Sequence, residues 1–210
     1  IECMAYCSEN HRQTCSTMET SPIESLRVID CQTRTIIQAP PGCQYVALSY
    51  VWGPSTTPSK NTEAQNIPPT IQNEPKTISD AIHVTLKLGI RYLWIDRYCI
   101  DQSNKDEKHN TIRVMDLIYS NARLTIITTA GENPDYGLPG VRGTVRRVQP
   151  RLEVGEHCLV STLPHPNMSV NNSTWASRGW TYQEGLLSKR RLVFTDHQIL
   201  YECNGMHCAE

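Results

Sequence analysis

Tyr45-Val-Ala-Leu-Ser-Tyr-Val-Trp-Gly53 is a short apolar run, closed by the turn signal Gly53-Pro54. An unalternated run of this length, bounded by a turn, predicts a strand buried on both faces. Such strands belong to parallel sheets covered by helices. Working outward, the same alternation repeats. Thr77–Leu88 predicts a helix capped by Thr77 or Ser79 and ended by Gly89, with Ile78, Ala81, Ile82, Leu86 and Leu88 on one face. Arg91-Tyr-Leu-Trp-Ile-Asp96 predicts a second strand. Lys108–Ser120 predicts a helix with Ile112, Met115, Leu117, Ile118 and Tyr119 inward. Leu124–Thr129 predicts a third strand. The order strand, helix, strand, helix, strand predicts an α/β core, with parallel strands at Ala47–Tyr50, Tyr92–Ile95, Leu124–Thr128 and Arg191–Phe194.

The remaining segments elaborate that core. Ser25–Asp30 and Thr35–Gln38 predict two short strands, and Gln198–Cys203 a last one. Ser55–Glu74, rich in Pro, Thr, Ser and Asn, predicts a long loop. Val145–Leu163 predicts a β-containing insertion. Trp175–Ser188 predicts a loop entering a helix, with Trp180, Leu186 and Leu187 apolar. Residues 1–24 form a Cys/His-bearing extension and residues 25–210 the main domain.

Composition narrows the function classes. The chain has 210 residues, 39% hydrophobic and 20% charged, which permits a packed core. Twenty Lys and Arg against 21 Asp and Glu leave no basic field to attract nucleic acid or an anionic membrane. No stretch approaches the roughly 20 apolar residues of a spanning helix. Nine cysteines, an odd count, without an apolar leader in Ile1–Cys15, predict reduced thiols and a cytoplasmic setting. Nine Tyr and 4 Trp against one Phe place some aromatics in a polar cleft, where their polar handles find partners.

Three constellations carry chemistry. Ser49-Tyr50-Val51-Trp52-Gly53 sits at the carboxyl end of a predicted parallel strand, where open sheets bind ligands. It reads equally as a strand finishing in a tight turn with Trp52 packed beneath. Asp96 ends the second apolar strand, near Asp101 and Gln102. It offers acceptors to a sugar, or it caps the following turn. In Arg178-Gly-Trp-Thr-Tyr-Gln-Glu184, a helix starting near Trp180 places Glu184 one turn on, upon Trp180's face. A carboxylate beside an indole can hold a ribose, and a surface glutamate near a helix N-terminus is the plain alternative.

Cys3, Cys7, His11 and Cys15 recur every four residues, on one helical stripe. One helix cannot wrap a tetrahedral ion with four such ligands. A zinc site would need a break, or a partner such as Cys203, His207 or Cys208. Without either, these are packing thiols, and no metal is expected. Arg142, Arg146, Arg147, Arg151, Lys189, Arg190 and Arg191 read as a solvated basic face. The chain lacks a phosphate-binding Gly-x-x-x-x-Gly-Lys loop, a dinucleotide Gly-x-Gly-x-x-Gly turn and a Gly-x-Ser-x-Gly elbow.

Five ordered blocks, Tyr45–Gly53, Gly89–Gln102, Met115–Ala122, Gly137–Gly140 and Arg178–Glu184, resemble the heterokaryon-incompatibility (HET) domain. The resemblance runs from about Leu26 to Cys203. It implies a cytoplasmic fungal module that triggers cell death in non-self recognition, with other HET or sensor proteins as partners and self-association on activation. HET domains are distantly similar to TIR domains. That similarity implies a flavodoxin-like fold and, in some members, NAD cleavage. Carried over, it makes Glu184 catalytic, and places Ser49, Tyr50, Trp52, Asp96 and Trp180 around NAD, a substrate rather than a resident cofactor. The alternative is a non-catalytic oligomerising module.

Overall fold

The computed structural model describes residues 2–16, 23, 25–53 and 70–210. Helices α1 (Glu2–Asn10) and α2 (Arg12–Cys15) precede a hairpin of β1 (Arg27–Asp30) and β2 (Thr35–Gln38). There follow β3 (Tyr45–Ser49), α3 (Lys76–Lys87), β4 (Tyr92–Trp94), α4 (Asp96–Cys99), α5 (Lys105–Arg113), α6 (Met115–Asn121) and β5 (Leu124–Thr128). The chain continues through β6 (Arg151–Val154), β7 (His157–Val160), α7 (Pro166–Asn171), α8 (Gly179–Leu187), β8 (Arg190–Phe194), β9 (Ile199–Cys203) and β10 (Met206–Ala209).

Eight strands form one sheet in the order β10-β9-β8-β5-β3-β4-β1-β2. Its centre, β8-β5-β3-β4, is parallel and comprises the four strands expected to be so. Every residue of β3 and β5 is buried, as strands covered on both faces require. The sheet as a whole is mixed, because β1, β2, β9 and β10 add antiparallel edges. Chain length explains the hairpins. Four residues separate β8 from β9 and two separate β9 from β10, too few for the crossover that a parallel return needs. The insertion is a separate exposed hairpin, β6-β7. Among the described residues, no helix is long and apolar enough to cross a membrane.

Several local expectations change. The N-cap of α3 is Pro75, which has no side chain to cap with, and Thr77 instead accepts the Gly137 N–H at 3.1 Å. Ile78, Ala81 and Ile82 are buried, whereas Leu86 is exposed at the helix end. The helix expected over Lys108–Ser120 starts earlier, because the Asn104 side chain accepts the N–H groups of Asp106 and Glu107. It also breaks at Val114 (φ −112°, ψ 14°), which re-aims Met115, Ile118 and Tyr119 into the core. Tyr119 packs edge-on against Trp94, with ring centroids 5.5 Å apart. Of the predicted Ser55–Glu74 loop, residues 55–69 lie outside the described residues.

Buried Asp80 fastens the loop Gly131–Gly143, which carries four glycines, to this frame. Its Oδ2 accepts from the Leu138 N–H at 3.0 Å, the Thr144 hydroxyl at 2.9 Å and the Lys76 ammonium at 3.3 Å. Gly137 (φ +86°) has no room for a Cβ, which would lie 2.7 Å from that same oxygen. Asp80→Ala strands these donors and should cost about 2–4 kcal/mol, measured by urea unfolding, with the Gly131–Gly143 loop becoming protease-sensitive.

Candidate functional site

Parallel neighbours β3 and β4 bring their carboxyl ends to one edge of the sheet. Ser49 ends β3 and Asp96 opens α4 just past β4. Helix α8 lies over this edge with Thr181 and Glu184 turned inward. The Ser49 hydroxyl donates to Glu184 Oε2 and accepts the Trp175 indole N–H at 2.7 Å. Trp52 donates its indole N–H to the Asp96 carboxylate, 3.0 Å from each oxygen. The Arg97 backbone N–H donates to Asp96 Oδ1 at 2.7 Å. Arg178 ties the strand end down, donating to the Tyr50 carbonyl at 2.7 Å.

The two carboxyl groups share a desolvated site. Glu184 is only 6% exposed, and burial raises its pKa against the opposing pull of the Ser49 hydrogen bond, the Arg178 charge and the Tyr119 hydroxyl. Burial, then the charge of Glu184, pushes Asp96 up to about 7, against the Arg97 N–H, the Trp52 indole and Arg178. Neither carboxylate makes a salt bridge among the described residues. Burial thus pushes both groups toward the neutral form, and the charge of Glu184 adds to the shift of Asp96.

Ser49, Tyr50, Trp52, Asp96 and Glu184 therefore gather at one edge although far apart in sequence. Trp180 does not join them. It is 56% exposed, in the first turn of α8. Thr181, Glu184 and Ser188 define the inward stripe of α8, so a residue four before Glu184 falls on its shoulder. The buried indole comes instead from Trp175, whose ring packs on Gly185, 3.2 Å from where a Cβ would sit. Trp175 also lines a cleft of about 500 Å³ with Val170, Tyr182 and Arg191. Trp175 and Tyr119 are site residues that the sequence reading missed. The nearest signal was the spacing Trp175-Ala-Ser-Arg178-Gly-Trp180, two tryptophans around an arginine already singled out.

A buried glutamate and a half-buried aspartate on hydroxyl and indole donors, at the carboxyl edge of parallel strands, define an α/β protein with a polar, largely desolvated site. The family model described as Heterokaryon incompatibility protein (HET) matches residues 45–184, which span the whole constellation. The chain belongs to that family. It is similar to Heterokaryon incompatibility protein 6, OR allele, of Neurospora crassa, at 29% identity over 183 residues, which cover 81% of this chain. The chain spans about a quarter of that relative's length (25%). No solved structure matches it.

The Asp96 shift has a signed consequence for stability. A carboxyl whose pKa rises on folding contributes stability that is present below its unfolded value, 3.8, and lost as pH rises through about 7. Thermal melts of wild type and Asp96→Asn at pH about 5 and about 8 should show the variant gaining on wild type at the higher pH. A difference that does not change with pH would mean that Asp96 ionises freely in the folded chain.

Proposed function

We propose that the chain is a cell-death effector module of fungal non-self recognition, and that its carboxyl cluster cleaves the N-glycosidic bond between nicotinamide and ribose in NAD. Family membership and the name of the Neurospora relative support the first part. The observation that carries the second is the buried Glu184 carboxyl held on Ser49 at the carboxyl edge of the parallel strands. The order of those strands supports a flavodoxin-like, TIR-like reading of the core: the second, first, third and fourth in sequence lie side by side, as in flavodoxin-type sheets.

The chemistry asks little of the protein. Nicotinamide leaves as a neutral molecule from a cationic substrate, so no general acid is needed. Positive charge develops at the ribose carbon, and a nearby carboxylate stabilises it while accepting hydrogen bonds from the ribose hydroxyls; water then bonds to that carbon and loses a proton to solvent, leaving ADP-ribose. Glu184 now uses an oxygen on the Ser49 hydroxyl, and ribose binding exchanges that hydroxyl for a substrate hydroxyl. Trp52, fixed through Asp96, supplies an aromatic face. Because Glu184 is almost fully covered, entry of substrate needs α8 or Trp175 to shift, and self-association with another HET or sensor protein in the cytoplasm is the step that shifts it.

A second reading has its own observation. The outer face of α8 exposes Tyr182 and Leu186, one turn apart, an apolar surface suited to a partner and to a purely interacting module. One comparison separates the two. Glu184→Gln keeps the shape, removes the charge and should lower nicotinamide release by oligomerised protein on the order of 10²-fold, with an unchanged melting profile at acid pH. Cell killing should fall in parallel at equal abundance. If wild type kills without consuming NAD, and Tyr182→Ala with Leu186→Ala abolishes killing, the interaction module is the function.

A further inference from the structure

At the opposite side of the domain from the carboxyl cluster, four metal-binding side chains meet. Sequence spacing put Cys3, Cys7, His11 and Cys15 on one helical stripe, which cannot surround an ion. The fold removes that obstacle in two ways. His11 (φ −114°, ψ 35°) interrupts the helix between α1 and α2, so Cys15 turns back toward Cys7. Strand β9 then delivers Cys203 from the far end of the chain, with its Sγ 3.3 Å from His11 Nδ1. The ligand atoms of Cys7, His11, Cys15 and Cys203 all lie within 4.8 Å of one another. Around a tetrahedral zinc, with bonds of about 2.0–2.3 Å, neighbouring ligand atoms stand roughly 3.5–3.8 Å apart. The cluster therefore needs only a small contraction to close on an ion.

We propose that Cys7, His11, Cys15 and Cys203 hold one structural zinc ion. All three cysteines are buried. Arg190 Nε donates to Cys7 Sγ at 3.2 Å, and the Gly205 backbone N–H donates to Cys203 Sγ at 3.4 Å. Gly205 is where a side chain would collide with His11, its Cβ falling 2.7 Å from the ring. The hairpin turn Asn204-Gly205 thus makes room for the imidazole.

Charge balance is the second, independent observation. Arg190 was expected on a solvated basic face, yet it is 3% exposed and forms no salt bridge among the described residues. Its Nη1 is buried without a hydrogen-bond partner. A cation is rarely left in that state without compensation. Zinc supplies it indirectly. Binding expels the three thiol protons, and a dication with three thiolates and a neutral imidazole carries one net negative charge, which Arg190 neutralises. Four protein ligands leave no open position, which marks a structural rather than a catalytic site, and three sulfurs with one imidazole nitrogen favour zinc over harder metals. The site lies outside residues 45–184, the part the family model matches. It would clip α1 and α2 to β9 and β10, where Asn204 already donates to the Thr14 carbonyl and Lys189 to that of Ser16.

The test is metal analysis of the whole chain, purified in reductant without chelator. Elemental analysis should find about one zinc per chain, and Cys158→Ser, which alters an exposed thiol on β7, should retain it. Cys203→Ser and His11→Ala should drop to about a tenth or less. Should those variants fail to fold, chelator-stripped wild type titrated with cobalt still decides. It should develop the visible bands of a tetrahedral thiolate complex, and added zinc should bleach them. Arg190→Gln should bind zinc about 10-fold or more weakly, as the loss of an outer-shell partner does. Wild type that carries no zinc and gives no cobalt spectrum, a disulfide among these cysteines, or iron in place of zinc would each overturn the assignment.

Discussion

Full burial of β3 between two parallel neighbours is the constraint on which the rest depends. A parallel strand cannot be reached by a hairpin, so helical crossovers must cover both faces of the block. That geometry makes Val46, Ala47 and Leu48 wholly inaccessible and points every carboxyl end of the block the same way. Ser49 and Asp96 become neighbours for this reason alone, and α8 can lie across both. The antiparallel edges add area and closure without disturbing that alignment.

Buried charge is handled in contrasting ways. Asp30, on β1, is paired with Arg91, whose hydrogen bonds hold its pKa below the usual carboxylate range, a stabilised ion at a strand edge. Asp80 spreads its charge over a backbone amide, a hydroxyl and an ammonium, and so orders a loop. Glu184 and Asp96 also accept hydrogen bonds, from Ser49, Trp52 and the Arg97 N–H, but desolvation outweighs these and shifts both the other way. A fold that neutralises its other buried carboxylates but leaves this pair strained by desolvation marks the pair as a candidate for chemistry rather than for stability. Arg190 is the mirror case, a buried cation whose neighbours are sulfurs.

The two polar centres occupy different strata of the molecule. The carboxyl cluster sits at the edge that parallel pairing creates. The thiol and imidazole cluster joins the first helices to the last hairpin, closing residues 2–16 onto the sheet. One belongs to the part shared with the family, and the other to segments flanking it.

The sequence by itself determined the elements whose signal is local. The four parallel strands, the α3 and α6 faces and the helix beginning near Trp180 follow from apolar period and turn residues, and the ordered motif blocks determined the family. Only the tertiary structure decided what depends on how elements meet. Periodicity says that a helix has an inward side but not which residues face the sheet, so the buried indole is Trp175, to which the sequence assigned no role, and Trp180 is exposed. Hairpin returns made the sheet mixed. Composition placed Arg190 with its basic neighbours, because no local rule shows that β8 turns it under α1. Cys203 stands 188 residues from Cys15. Sequence spacing could state that the stripe needed a break and a distant partner, but only packing β9 beside the first helices supplied them, since sequence separation carries no information about distance once a chain has folded back on itself.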